Sequence, residues 1–187
     1  MAETEELQQL INGCVRNDRT SQEKLYKQFF APLYSLCSRF FQNDHDAIES
    51  VNDGMLKVFE KVGGYRADKG RFFNWVYTIV RNTAVDKFRS SVVIPVGNMT
   101  DMEEVLAEDA ADVNPVEWLE RKEFPLLFDR LSPAPRGICT LFYVEGYTIR
   151  EIADRLQIST GTVRWHLSES RKKLKPIIEN TLTNDHE

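Results

Sequence analysis

Several features that carry catalysis or membrane insertion are missing from this 187-residue sequence. It contains no GxSxG, HExxH or phosphate-binding glycine-rich motif, so we expect no enzyme activity and no cofactor. No apolar run is long enough to span a bilayer. The acidic, amphipathic N-terminus resembles neither a secretory signal nor a transit peptide. We therefore expect a soluble cytoplasmic protein with no membrane insertion of its own.

Cysteine and histidine are scarce, with three residues of each type. Cys14, Cys37 and Cys139 lack CxxC spacing, and each falls in an apolar helical run, which predicts buried, reduced thiols. The histidines form no metal-binding spacing either, so we expect no metal site.

The sequence also lacks strand-like alternation of useful length, which predicts an all-α fold. Its net charge is −5, and that total alone would argue against a nucleic-acid partner. The charges are segregated, however: residues 61–91 carry net +5, residues 92–118 carry −7, and residues 148–175 carry +4. Two positive regions separated by an acidic one predict two contacts with a polyanion.

The stretch 148–175 has the pattern of a helix-turn-helix. Apolar residues recur at helical spacing on both sides of a short break at 157–159. Thr148 and Glu151 form a capping box for the first helix, and Ser159 is the expected N-cap of the second. The positive charge favours DNA binding over an ordinary helical hairpin. The second helix is then expected to lie in the major groove.

Four amphipathic helices are predicted in the first half of the chain, at about 4–17, 21–42, 44–62 and 72–89. Thr20 and Glu23 are expected to form a capping box at the start of the second helix, and Pro32 is expected to kink or break it. In the third helix, Ile48 is expected to face the core. Gly54 is expected to weaken that helix by up to about 1 kcal/mol.

The fourth helix and the basic loop before it, residues 65–71, form a polar surface. Opposite its apolar face, the helix carries a strip of side chains without an acid: Asn74, Thr78, Arg81, Asn82 and Arg89. Such a strip suits contacts with phosphates and base edges. Tyr65 is equally compatible with stacking on an unpaired base and with a place in the core.

Composition divides the chain into two small helical domains, residues 1–91 and 116–178, followed by a tail at 179–187. Residues 92–115 form an acidic linker whose self-repulsion favours extension. In the second domain, Pro133 and Pro135 are expected to make the turn into a helix from Arg136 to Glu145.

Two long stretches of the chain resemble sigma factors of RNA polymerase, of the small extracytoplasmic-function type. Residues 20–91, with LYKQFFAPLYSLCSRFF, DAIESVNDGMLKVFEKV and KGRFFNWVYTIVRNTAVDKFR, are similar to sigma region two. Residues 116–178, with LSPAPRGICTLFYVEGYTIREIADRLQISTGTVRWHLSESRKKL, are similar to sigma region four. The order of the two stretches makes the resemblance specific, since the helix-turn-helix alone also resembles LuxR-type regulators.

The resemblance implies partners for the first domain. Region two docks on the clamp helices of the beta-prime subunit of core RNA polymerase, a role that would fall to Glu49, Asn52 and Asp53. Without the resemblance, these residues could equally form a solvated helix face. Region two also reads and helps to open the minus-ten promoter element as a single strand. That role would fall to Lys69, Arg71, Asn74, Arg81 and Asn82.

For the second domain, the resemblance implies contact with the beta flap and with the minus-thirty-five element. The residues expected to face this DNA are Thr160, Thr162, Arg164, Trp165, His166, Ser168 and Lys172. Glu169 either accepts a hydrogen bond from a cytosine amino group or pairs with Lys173. An anti-sigma factor is an expected further partner of this type of protein.

Three functions are compatible with the sequence. The chain is a promoter-specificity subunit, a helix-turn-helix regulator that acts without core polymerase, or a sigma mimic that titrates an anti-sigma factor. The basic, polar strip on the fourth helix favours the first of these.

Overall fold

The computed structural model describes residues 5–95 and 127–184, with side chains up to residue 177. Most of the expected acidic linker lies outside these residues. The chain divides into two compact units, Met1–Phe88 and Arg89–Glu187. Every regular element in the described ranges is helical, which confirms the all-α prediction. None of the helices described there is long and apolar enough to cross a membrane.

The first unit is built on four helices: α1 at Glu5–Val15, α2 at Arg19–Ser38, α3 at Asp44–Lys61 and α4 at Phe72–Ser91. Short 3-10 turns at Val62–Gly64 and Ala67–Lys69 connect α3 to α4. The core side chains recur every three or four residues on α2, α3 and α4. They include Leu25, Phe29, Leu33, Leu36, Val51, Met55, Val58, Phe72, Val76, Val80 and Phe88.

The start and the middle of α2 differ from the prediction. Its N-cap is Asp18, whose carboxylate accepts hydrogen bonds from the backbone N–H groups of Thr20 and Ser21. The predicted capping box of Thr20 and Glu23 is therefore wrong, because an aspartate two residues earlier supplies the cap. The helix also continues through Pro32. Both Pro32 and Gln28, whose carbonyl loses its donor, are exposed, so water can satisfy that carbonyl.

Helices α3 and α4 approach each other closely at Gly54. A Cβ atom added there would lie 2.9 Å from the backbone Cα of Val80. Glycine at this position is therefore required by packing, and its effect is more than the predicted loss of helix propensity. The prediction for Ile48 is wrong: this side chain is 38% exposed, because it lies at the border of the buried face.

The second unit contains a 3-10 turn at Phe128–Arg130 and then α5 at Pro133–Cys139, which continues as a π turn at Thr140–Val144. Helix α6 spans Ile149–Leu156 and α7 spans Thr160–Asn184. Pro133 and Pro135 lie within the first turn of α5 and not before it, because N–H groups there have no helical partner. Helix α7 continues through the exposed Pro176 to Asn184, so it includes the first part of the expected tail at 179–187.

The helix-turn-helix ends are capped as the sequence predicts. Thr148 Oγ1 accepts a hydrogen bond from Glu151 N, and Glu151 Oε2 accepts one from Thr148 N, which confirms the capping box. Gln157 closes α6 in the left-handed conformation, with φ of 58°. Ser159 Oγ accepts a hydrogen bond from Thr162 N at 2.9 Å and so caps α7. These local signals fix where the two helices begin and end.

The three cysteines are free and buried, as predicted. Burial raises the thiol pKa to about 11 for Cys14 and Cys37 and to about 12 for Cys139. Because the thiolate is the reactive form, we expect the native protein to react with a thiol reagent such as Ellman's reagent only at the rate of unfolding. In strong denaturant, all three thiols should react at once. Rapid release of even one equivalent from the native protein would contradict this prediction.

Candidate nucleic-acid and protein interfaces

The basic loop between α3 and α4 is held in shape by Tyr65. The hydroxyl group of Tyr65 donates a hydrogen bond to the carbonyl oxygen of Gly70 at 2.8 Å. Its ring packs edge-on against Phe72, with centroids 4.9 Å apart. Gly70 adopts φ of 142°, a conformation that other residues rarely reach. Tyr65 therefore stabilises the loop. Its contact with Phe72 favours a place in the core for its ring over stacking on an unpaired base.

The loop and the start of α4 enclose a cavity of about 430 Å³. Among the lining residues, Lys69, Arg71 and Asn74 were predicted from the sequence to contact DNA, and all three are exposed. Trp75 lines the same cavity with a half-buried ring that packs on Tyr65. Arg66 adds a further cation and pairs with Asp68 at 3.3 Å. The cavity thus combines an aromatic wall with cationic and amide donors.

Arg81 and Asn82 lie farther along α4, about two turns beyond Asn74. Both side chains are half-buried, in contrast to Asn74 and Thr78, which are exposed. The polar strip therefore faces solvent fully in the first turns of α4 and partly after them. Substitution of Arg81 or Asn82 would combine an effect on packing with any effect on binding.

The exposed face of α3 carries Glu49, Asn52 and Asp53, as the sequence predicts. Glu49 forms an ion pair with Lys87 of α4. Two large apolar side chains, Ile48 and Leu56, lie on the same face and are 38% and 59% exposed. Leu56 is a residue that sequence reasoning missed, although its position one helical turn after Asn52 could have indicated it. Apolar side chains bordered by polar ones are typical of a protein-binding surface.

Helix α7 exposes fewer of the predicted DNA-facing residues than expected. Thr160 and Lys172 are exposed, and Arg164 and Trp165 are half-buried. Glu169 pairs with Lys172 at 3.4 Å, and not with Lys173 as expected. Three side chains predicted to point outward are instead buried: Thr162, His166 and Ser168 have exposures of 1%, 3% and 8%.

The burial of each of the three side chains has its own cause. The hydroxyl group of Thr162 lies 2.9 Å from that of the capping Ser159. Ser168 is short and lies one helical turn from the long side chains of Arg164 and Lys172. His166 lies under the segment 92–95, and its Nε2 is 2.9 Å from the carbonyl oxygen of Pro95. Burial lowers the pKa of His166, which favours the neutral ring.

Comparison with known proteins finds a matching family model for each of the two units. A model of sigma-70 region 2 matches residues 25–92, and a model of sigma-70 region 4 matches residues 121–174. The chain is 25% identical to the ECF RNA polymerase sigma factor SigK of Mycolicibacterium vanbaalenii, over 92% of this chain and 89% of that protein. It is also 25% identical to the RNA polymerase sigma-H factor of Pseudomonas aeruginosa, over 95% of this chain and 98% of that protein.

A solved structure of the sigma factor RpoE in complex with the anti-sigma factor NepR, from Bartonella quintana, overlaps 84% of this chain and 96% of that one. The sequence identity is 18% and the TM-score is 0.44. This score is too low to show that the helices of the two chains are arranged in the same way.

Proposed function

Because the chain belongs to the sigma-70 family of RNA polymerase sigma factors, of the extracytoplasmic-function type, we propose that it recognises both promoter elements for the core enzyme. In this proposal the first unit binds core polymerase and opens the minus-ten element, and the second unit reads the minus-thirty-five element. The chain performs no bond chemistry. It selects the sequence and positions the catalytic core.

The observation that carries the proposal is the cavity beside the loop 65–71. Its cationic rim suits the phosphates of a single strand, and Trp75 and Asn74 offer a stacking surface and hydrogen-bond donors to a base. A volume of about 430 Å³ accommodates one unpaired base. We assign Lys69, Arg71 and Asn74 to the minus-ten element first, and place Arg81 and Asn82 at its edge.

The α3 face supplies the proposed contact with core polymerase. Asn52 and Asp53 provide polar contacts, and Ile48 and Leu56 provide apolar surface that would be buried on docking. Glu49 is already neutralised by Lys87, so it contributes less free charge to that contact. The clamp helices of the beta-prime subunit are the partner that the family resemblance implies.

The second unit supports a major-groove contact through the accessible side of α7. Thr160 lies at the helix start, where base edges are reached. Arg164, Trp165 and Lys172 are accessible on the same helix. Thr162 and His166 cannot meet a base without rearrangement, and we assign them to the packing of this unit. The beta flap and an anti-sigma factor are further partners that the resemblance implies for this protein.

Run-off transcription with purified core polymerase tests the proposal. We expect addition of the protein to convert core enzyme from non-specific to specific initiation on one class of promoter fragments. A scrambled minus-ten element in the same fragment is the control and should abolish the product. If the protein binds such DNA without core polymerase and never directs initiation, it is a regulator of the helix-turn-helix class instead.

A further inference from the structure

Three aromatic side chains form a row on the outer side of α2. Tyr26, Phe30 and Tyr34 follow one another at intervals of one helical turn, and all three are half-buried. Their ring centroids are 5.6 and 5.8 Å apart, with the rings of Phe30 and Tyr34 nearly parallel. Such contacts stiffen a row of side chains because each ring restricts the rotamers of the next.

Both tyrosines of this aromatic row reach across to α3. The hydroxyl group of Tyr26 donates a hydrogen bond to Asn52 Oδ1 at 2.7 Å, and that of Tyr34 donates one to Asp44 Oδ1 at 2.7 Å. The two partners are eight residues apart on α3, as the tyrosines are on α2, but in the opposite order. The helices therefore run antiparallel, and this register brings Phe30 level with the partly exposed Ile48.

The bond from Tyr26 has a consequence for Asn52 that the bond from Tyr34 does not have for Asp44. An asparagine amide can rotate by half a turn and exchange its acceptor with its donors. With its oxygen held by Tyr26, Asn52 retains its two N–H donors for a partner. No other hydrogen bond of the Asn52 side chain occurs within the described ranges of the chain. The bond therefore holds the exposed Asn52 side chain in place on a face that otherwise carries the carboxylates of Glu49 and Asp53.

We propose that Tyr26 is a positioning residue for core-polymerase binding, because its hydroxyl group holds the exposed Asn52 side chain in place for a contact with the polymerase. This inference rests on the proposed docking of α3. It extends the docking surface from one helix to two, with Phe30 and Ile48 at its apolar centre and Tyr26 at its polar end. Tyr26 need not contact the polymerase itself.

The matched pair Tyr26→Phe and Tyr34→Phe separates positioning from stability. Each variant loses one hydroxyl group and one hydrogen bond between the same two helices. Because Tyr34 bonds a carboxylate, Tyr34→Phe should lower the urea unfolding midpoint at least as much as Tyr26→Phe. We expect Tyr26→Phe to weaken the binding of the full-length protein to core polymerase by about three- to tenfold. Tyr34→Phe should change it by less than about twofold. Equal losses in the two variants would mean that the row only packs the helices, which would overturn the inference.

A double-mutant cycle with Asn52→Ala provides the second readout. Asn52→Ala should weaken core binding at least as much as Tyr26→Phe, and adding Tyr26→Phe to it should cause no further loss. If the two losses instead multiply, Tyr26 does not act through Asn52. If Asn52→Ala leaves core binding unchanged, the proposed docking face itself fails, which is a different result from failure of Tyr26 alone.

Discussion

Replacement of Gly54 by leucine is expected to destabilise the first unit by about 3 kcal/mol, at the upper end of the usual cost of overpacking. The Cβ atom alone would lie 2.9 Å from the backbone of Val80, so a whole helix must move to make room for it. The gain in helix propensity over glycine, about 0.8–1 kcal/mol, offsets only part of this cost. Urea unfolding followed by circular dichroism measures the effect.

Gly63→Leu is the matched control for this prediction. A Cβ atom at Gly63 would meet nothing within 4 Å, so the same kind of substitution should leave the unfolding midpoint nearly unchanged. A leucine at position 54 that costs less than about 0.5 kcal/mol would show that α3 and α4 are not in close contact. The proposed polymerase-binding face on α3 and the polar strip on α4 would then not be held together by this packing.

Removal of the two cations at the cavity, in the double variant Lys69→Ala, Arg71→Ala, is expected to reduce open-complex formation by about 100-fold. Each charged group is assigned one contact with a phosphate, and hydrogen bonds to charged groups are the stronger ones. The salt dependence should change as well. Each phosphate contact with a single strand contributes about 0.7 to the log–log slope, so the slope should fall by about 1.4.

The double variant Arg16→Ala, Lys24→Ala provides a control with the same change in net charge. Both residues are exposed and lie outside the cavity. This control should leave promoter opening within about twofold of wild type, since general electrostatic steering is shared over the whole surface. Both double variants should bind core polymerase normally. An equal loss of opening in the two would show that total charge matters and that the cavity does not.

Local signals predicted the helix-turn-helix well. A capping box and an N-cap depend on residues three positions apart, so Thr148, Glu151 and Ser159 could be assigned without knowledge of the tertiary structure. The same locality explains why a break was expected at Pro32 although the helix continues through this residue, as it does through Pro176. The local cost of proline is real, but at exposed positions water satisfies the freed carbonyl and the rest of the fold holds the helix together.

The remaining errors concern contacts between distant residues. Periodicity shows which face of a helix is apolar, but it does not show what packs against the other faces. His166 is buried by Pro95, 71 positions away in the sequence, and no helical pattern contains this information. Likewise, glycine is required at position 54 only because Val80 of another helix lies so close. The bond between Tyr26 and Asn52 became visible only once the register of α2 against α3 was known.

The burial of the three sulfur atoms bears on how this protein can be controlled. Thiolates are the nucleophiles that attack peroxides and disulfide reagents, and the raised pKa values leave almost no thiolate at neutral pH. The native fold thus shields its own cysteines from oxidants. Oxidation of these cysteines would therefore require the fold around them to open first.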